Sequence, residues 1–122
     1  PESQTVMESV FDELVFGLSN LGLSTFAIDL KLGETTAFLG IEDLLDKKIS
    51  TLSGGQKQLV NLAAILMMEP EVIIFDEPTN NLDIQSVEIL TAAINEYQGT
   101  IIVVSHDQTF LEQINIEREI EL

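Results

Sequence analysis

The hydrophobic pattern changes period along the chain. Over residues 5–18, TVMESVFDELVFGL, the apolar positions Met7, Val10, Phe11, Leu14, Val15 and Leu18 recur at helical spacing and predict an amphipathic helix, with Gly17 and Gly22 flanking its end. Residues 23–37 carry few charges and mixed periodicity, so no element is assigned there. Ile41 to Lys48 reads as a short helix with Leu44 and Leu45 inward. Two glycines then open a long apolar helix, roughly Gln56 to Met68, which is apolar nearly all round in its later turns and is stopped by Pro70.

Past Pro70 the pattern becomes one of short apolar runs. Val72-Ile73-Ile74-Phe75, bounded by Pro70 and Pro78, predicts a strand buried on both faces, as in a parallel sheet. Residues 85–97 predict an amphipathic helix with Val87, Leu90, Ala93, Ile94 and Tyr97 on one side, ended by Gly99. Ile101 to Val104 predicts a second buried strand, followed by a short helix to about Ile114 and a final strand over 117–122. The alternation of helix and strand argues for an α/β fold with a wound sheet. No internal repeat or low-complexity linker interrupts it.

Composition narrows the function classes. With 122 residues and 45% apolar content, the chain suits one small packed domain. It has no cysteine, which excludes disulfides and thiolate metal sites, and its single histidine, His106, argues against a histidine-rich metal site. A reducing, cytosolic compartment fits this usage. The formal net charge is −16, from 21 acidic and 5 basic residues. Such a surface repels phosphate backbones and anionic lipid, so nucleic acid is not an expected partner. Two readings of the charge stand: solubility alone, or a match to a basic partner surface. No apolar run reaches the roughly 20 residues of a membrane-spanning helix, and no signal peptide is visible. The chain opens at Pro1 and in mid-pattern, as a segment of a longer protein does.

Candidate chemistry gathers at the ends of the predicted strands. In open parallel sheets, ligands sit beyond the carboxyl ends of the strands. Asp76 and Glu77 follow one apolar strand, and Ser105-His106-Asp107 closes the other. Asp76 suits Mg²⁺, a hard ion that takes oxygen ligands and keeps several waters. Glu77 is placed to meet an attacking water as a general base. Ser53, Gly54 and Gly55 lie at a helix N-terminus, where free N–H groups and the helix dipole favour phosphate. Each feature also has a plain reading: a solvated turn for the acids, an ordinary helix entry for the Ser-Gly-Gly, a satisfied core histidine for His106.

Taken together, LSGGQ (52–56), VIIFDEP (72–78), NNLD (80–83) and SHD (105–107) resemble the pattern of ATP-binding cassette (ABC) ATPases in order and spacing, over nearly the whole chain. The resemblance implies the C-terminal part of a P-loop NTPase-like cassette, with a helical subdomain over 1–50 and the signature helix and ATPase core over 51–122. It implies ATP and Mg²⁺ as cofactors. Ser53, Gly54, Gly55 and Gln56 would contact the γ-phosphate of a nucleotide held by the opposite subunit. Asp76 would be the Walker B magnesium carboxylate, Glu77 the catalytic base, Asp83 part of the D-loop linking the two sites, and His106 the switch histidine on the γ-phosphate. No GxxxxGK[ST] phosphate loop occurs in the 122 residues, so the chain alone is not expected to hydrolyse ATP. An aromatic residue for adenine is not located either.

The opening segment is similar to energy-coupling factor (ECF) transporter ATPases of the cobalt and biotin type, through Pro1–Gln4, Glu13, Phe16-Gly17 and Asn20-Leu21-Gly22-Leu23, and through LSGGQKQLVNLAAILMMEPEVIIFDEPT. That branch implies a vitamin or metal-ion importer. Its partners would be a second ATPase subunit, identical or not, and a membrane-embedded coupling protein, with the chain cytoplasmic and peripheral on the inner face of the membrane. The stripe over residues 6–18 then either touches the coupling protein or packs inside the helical subdomain. The branch's Q-loop glutamine falls ahead of Pro1, so Gln4 is not given that role. Two positions depart from the branch: Leu59 stands where arginine usually follows GGQKQ, and Asn81-Leu82-Asp83-Ile84 stands where GLDP is frequent. TNNLD followed by SHDQTFLEQI is similar instead to soluble, ribosome-acting ABC proteins, the alternative reading. A truncated, non-catalytic interaction module is the third.

Overall fold

A computed structural model of the chain describes residues 9–116. Met7 of the first expected helix and the expected strand over 117–122 lie outside them. The chain divides into two compact units, Pro1–Glu69 and Pro70–Leu122. The signature helix therefore groups with the helical half, whereas the sequence expectation drew the division after residue 50.

The first unit packs three helices, α1 (Val10–Ser19), α2 (Thr25–Leu39) and α3 (Gly54–Met68). In α1, Ser9 caps the N-terminus by accepting from Asp12 N–H at 3.1 Å. Val10, Leu14 and Leu18 of the expected stripe are buried, while Phe11 stays 41% exposed. The unassigned stretch 23–37 is mostly α2. Ser24 caps it, Ile28, Leu32, Thr36 and Leu39 form its inner face, and Gly40 ends it in the left-handed region at φ 69°. Thr36 satisfies its buried hydroxyl by donating to the Leu32 carbonyl at 2.7 Å.

Residues 41–48 are not the α-helix expected of them. Only a 3₁₀ turn forms, over Glu42–Leu44, with Leu44 buried and Leu45 half-buried. The stretch docks on the start of α1: Phe11 N–H donates to the Leu45 carbonyl at 2.9 Å and Val10 N–H to the Lys47 carbonyl at 3.0 Å. These donors are among the orphan amides of α1's first turn, which a helix cannot satisfy internally. In α3, Leu59, Val60, Leu62, Ala63 and Met67 are buried. Glu69, at φ 50°, closes the helix and pairs with Lys31.

The second unit is a β–α–β unit with a following helix. Strands β1 (Val72–Asp76) and β2 (Thr100–Val104) run parallel, in register from Val72 opposite Thr100 to Asp76 opposite Val104. Helix α4 (Ile84–Glu96) connects them, and α5 (Gln108–Gln113) packs on α4. Ile73, Leu90, Ala93, Phe110 and Ile114 form the core. Among the described residues one face of the strands is covered. Alternation sends Ile73 inward and leaves Ile74 67% and Ile102 48% exposed on the other face. Tyr97 ends α4 and donates its hydroxyl to the Pro70 carbonyl. Burial pushes its phenol pKa up, which keeps that donor protonated. Gly99 has no room for a side chain: a Cβ there would lie 2.7 Å from the Tyr97 ring and 3.2 Å from the Glu71 carbonyl.

Two glycine substitutions should therefore change stability in opposite directions. Gly33 lies inside α2 with nothing within 4 Å of an added Cβ. Gly33→Ala should raise stability by about 0.5–1 kcal/mol in urea titrations, from helix propensity alone. Gly99→Ala should lower the urea midpoint, because the Tyr97 ring must move.

Candidate functional site

The signature residues lie in the first unit at the start of α3. Ser53 Oγ accepts from Gln56 N–H at 3.1 Å, and Gln56 Oε1 accepts from Ser53 N–H at 3.0 Å, forming a reciprocal capping box. The Gln56 side chain is thus engaged within its own turn. Gly54 is exposed with open space around it. The amides of Gly54 and Gly55 belong to the first turn, where no intrahelical acceptor exists. A helix start of this kind, with small residues, can receive an anion.

The remaining site residues lie in the second unit, at the carboxyl ends of β1 and β2. Asp76 is the last residue of β1 and is exposed. Glu77 follows at φ 48°, in the left-handed region that a side chain disfavours. Its backbone is held there on both sides. Glu77 N–H donates to the Val104 carbonyl at 2.7 Å, and Asn80 N–H donates to the Glu77 carbonyl at 3.2 Å. Its carboxylate is held as well: Oε1 meets His106 Nδ1 at 2.6 Å, and Oε2 accepts from His106 N–H at 3.3 Å. The Glu77 side chain is 27% exposed and that of His106 is 95% exposed. Strain of this kind persists only where the surroundings over-determine it, and it collects at functional sites.

The pair fixes the imidazole. With Nδ1 hydrogen-bonded to a carboxylate, Nε2 is left to face a ligand. Asp76, the residue before Glu77, carries a hard carboxylate at the same strand end. Among the described residues, no group of three or more His, Asp and Glu side chains converges on one point.

The turn after Glu77 carries a second left-handed residue, Asn81 at φ 67°, a residue type that tolerates this conformation. Leu82 N–H donates to the Thr79 carbonyl at 3.2 Å. Asp83 then caps α4, its Oδ1 accepting from Ser86 N–H at 2.7 Å. The Ser86 backbone amide first, and its hydroxyl second, hold the Asp83 carboxyl below the ordinary carboxylate range.

The structure thus brings Glu77 and His106 into contact, with Asp76 at the same strand end. It places Asp83 at the head of α4, and Ser53 to Gln56 in the other compact unit. Sequence reasoning missed Thr79, whose hydroxyl donates to Asp107 at 3.2 Å. Nothing in residue spacing marks a hydrogen bond between positions 28 apart.

A family model described as ABC transporter matches residues 2–80, which takes in the signature and both β1 acids but stops short of Asp83 and His106. A putative ABC transporter ATP-binding protein of Bacillus thuringiensis is 50% identical over 108 residues, 86% of this chain and 20% of that protein. An Arabidopsis thaliana protein named ABC transporter F family member 2 is 44% identical over 100 residues, 79% of this chain and 15% of that one. The solved structure of cbiO1 from Clostridium perfringens, described as part of the ABC transporter complex cbiONQ, superposes with a TM-score of 0.72 at 37% identity, over 88% of this chain and 44% of that chain. The chain spans about a fifth of the length of the Bacillus relatives it matches.

The Asp83 cap carries a pH dependence. Its carboxyl pKa is lower folded than unfolded, so ionised Asp83 stabilises α4 fully above the ordinary carboxylate range. That contribution is lost as pH falls through the depressed folded value. Amide-exchange protection over residues 84–87 should drop on acidification below that range, and should stay flat with pH in Asp83→Asn, which keeps a capping oxygen that does not titrate.

Proposed function

The chain belongs to the ABC transporter family, and on that premise we propose that it forms the γ-phosphate side of an ATPase whose complete protein energises import of the ECF type. The observation that carries the proposal is the Glu77–His106 contact at 2.6 Å, at the carboxyl ends of two parallel strands and directly after Asp76. Each residue has a role that its surroundings support. Glu77 is the general base, a carboxylate at a strand end beside the place where water must approach. His106 holds that carboxylate through Nδ1 and turns Nε2 toward the γ-phosphate. Asp76 holds Mg²⁺, which when bound neutralises charge developing on the phosphate oxygens. Ser53, Gly54, Gly55 and Gln56 present a helix N-terminus to the γ-phosphate of a nucleotide bound by a second ATPase subunit. Asp83 sets the start of α4 and with it the D-loop between the two sites. Hydrolysis by such a site is mostly positioning and charge stabilisation, and these residues supply both.

The ECF branch rests on Glu13, Phe16-Gly17 and Asn20 to Leu23, and on the similarity to cbiO1. Phe16 and Leu21 are 42% and 50% exposed beside the buried stripe of α1, apolar surface suited to a membrane-embedded coupling protein. Val10, Leu14 and Leu18 of the stripe pack inside, and Phe11 is 41% exposed. Among the described residues no helix is long and apolar enough to cross a membrane. The imported substrate, a vitamin or a metal ion, would be chosen by a separate membrane protein.

A second reading, a soluble ribosome-acting ABC protein, draws on TNNLD and SHDQTFLEQI and on the similarity to ABC transporter F family member 2. The net charge of −16 weighs against it, since ribosomal RNA favours basic surface. Co-purification with a membrane protein supports the first reading; sedimentation with ribosomes supports the second.

Glu77→Gln in the complete protein should lower ATP turnover by about 10²–10⁴-fold, the usual effect of removing a general base, while ATP binding is kept. Single-turnover kinetics and nucleotide titration read the two quantities separately. Unchanged turnover removes Glu77 from the chemistry; a complete protein that encodes no GxxxxGK[ST] phosphate loop favours the non-catalytic module.

A further inference from the structure

One link in the second unit serves neither the ladder nor the roles proposed above. The Thr79 hydroxyl donates to Asp107 Oδ2 at 3.2 Å, joining the turn that leaves Glu77 to the turn that leaves His106. The other carboxylate oxygen of Asp107 is occupied at the same time: Oδ1 accepts from Phe110 N–H at 3.0 Å and caps α5. The backbone of Asp107 is held too, its N–H donating to Ser105 Oγ at 3.0 Å. Phe110, 1% exposed, anchors α5 in the core. Asp107 is therefore a fixed post, and Thr79 is tied to it.

The geometry around Glu77 shows why such a tie matters. Glu77 is held in the left-handed region by its N–H bond to Val104 and by its two carboxylate contacts to His106. All three act on Glu77 itself, and none of them reaches into the 78–82 turn that follows it. That turn exerts leverage on Glu77, because a residue in a disfavoured conformation relaxes unless both flanks are held. Asn80 N–H holds the second flank locally, at 3.2 Å from the Glu77 carbonyl, and the Thr79–Asp107 bond ties that turn to the turn after β2.

We propose that Thr79 and Asp107 form a cross-loop clasp, and that both are positioning residues that keep the Glu77 carboxylate on the His106 imidazole. The role in turnover rests on the reading of Glu77 as general base; the geometric role does not. The competing explanation is that Asp107 only caps α5. Two variants separate these. Thr79→Val removes the clasp and leaves the cap intact. Asp107→Ser keeps a capping hydroxyl but has one oxygen where two are needed.

His106 is the only histidine among these 122 residues, and in the complete protein its ring ¹⁵N signals are assigned by their loss in His106→Gln. Glu77→Ala supplies the reference for an imidazole without its carboxylate. Thr79→Val and Asp107→Ser should each move the His106 Nδ1 signal most of the way to that reference, Thr79→Ser should not, and the double variant should move it no further than either single one. In the complete protein, Thr79→Val should lower kcat by about tenfold with KM for ATP unchanged, the scale expected of a displaced catalytic group, and Thr79→Ser should restore it. An Nδ1 signal at the wild-type position in Thr79→Val, with only the melting temperature lowered in Asp107→Ser, overturns the clasp. If Glu77→Gln keeps turnover, the base assignment fails, and the imidazole signal alone decides the clasp.

Discussion

The second unit depends on the last rung of its parallel ladder. Beyond Asp76 and Val104, the final register pair, Glu77 N–H still donates to the Val104 carbonyl at 2.7 Å. That rung holds Glu77 at φ 48° and brings the turn after β2 to it. His106, two residues past Val104, then meets the Glu77 carboxylate through both its amide and its ring. Parallel pairing delivers both strand ends to one edge, so an acidic pair and a histidine 29 positions apart become neighbours. A slip of one residue would flip every side chain of β1 to the opposite face and expose Ile73.

Helix capping recurs at the functional positions. Among the described residues, each of the five α-helices begins on a side chain that accepts from an amide three residues on: Ser9, Ser24, Ser53, Asp83 and Asp107. Three of these belong to the motifs by which the family is recognised. Their residue types are thus constrained twice, once by the orphan amides of a helix start and once by the chemistry of the site. Ser53 and Gln56 satisfy each other, which leaves the amides of the glycines between them as the donors without intrahelical acceptors.

Much of this was legible in the residue pattern, and the exceptions have physical causes. The cores of α1, α3 and α4 follow helical spacing, and the strand ends carry the polar residues that the sheet rule requires. Helix α2 escaped because Phe26 and Leu30 are apolar yet exposed, which blurs the inner stripe of Ile28, Leu32, Thr36 and Leu39. The stretch 41–48 has helical spacing, but it forms only a 3₁₀ turn and docks through Leu45 and Lys47 on the first amides of α1. The apolar runs at 72–75 and 101–104 suggested two buried faces, whereas the described residues cover one.

The sequence by itself determined the family, the order of elements from α3 to α5 and the identity of the chemical groups, because these depend on residue type and on short spacings. Tertiary structure alone decided which groups meet. The Glu77–His106 contact, the Thr79–Asp107 bond and the closeness of Tyr97 to Gly99 and Pro70 each depend on where the chain returns after a turn or a crossover. Local periodicity carries no record of that return, because it is set by the register of β1 on β2 and the packing of α4 and α5.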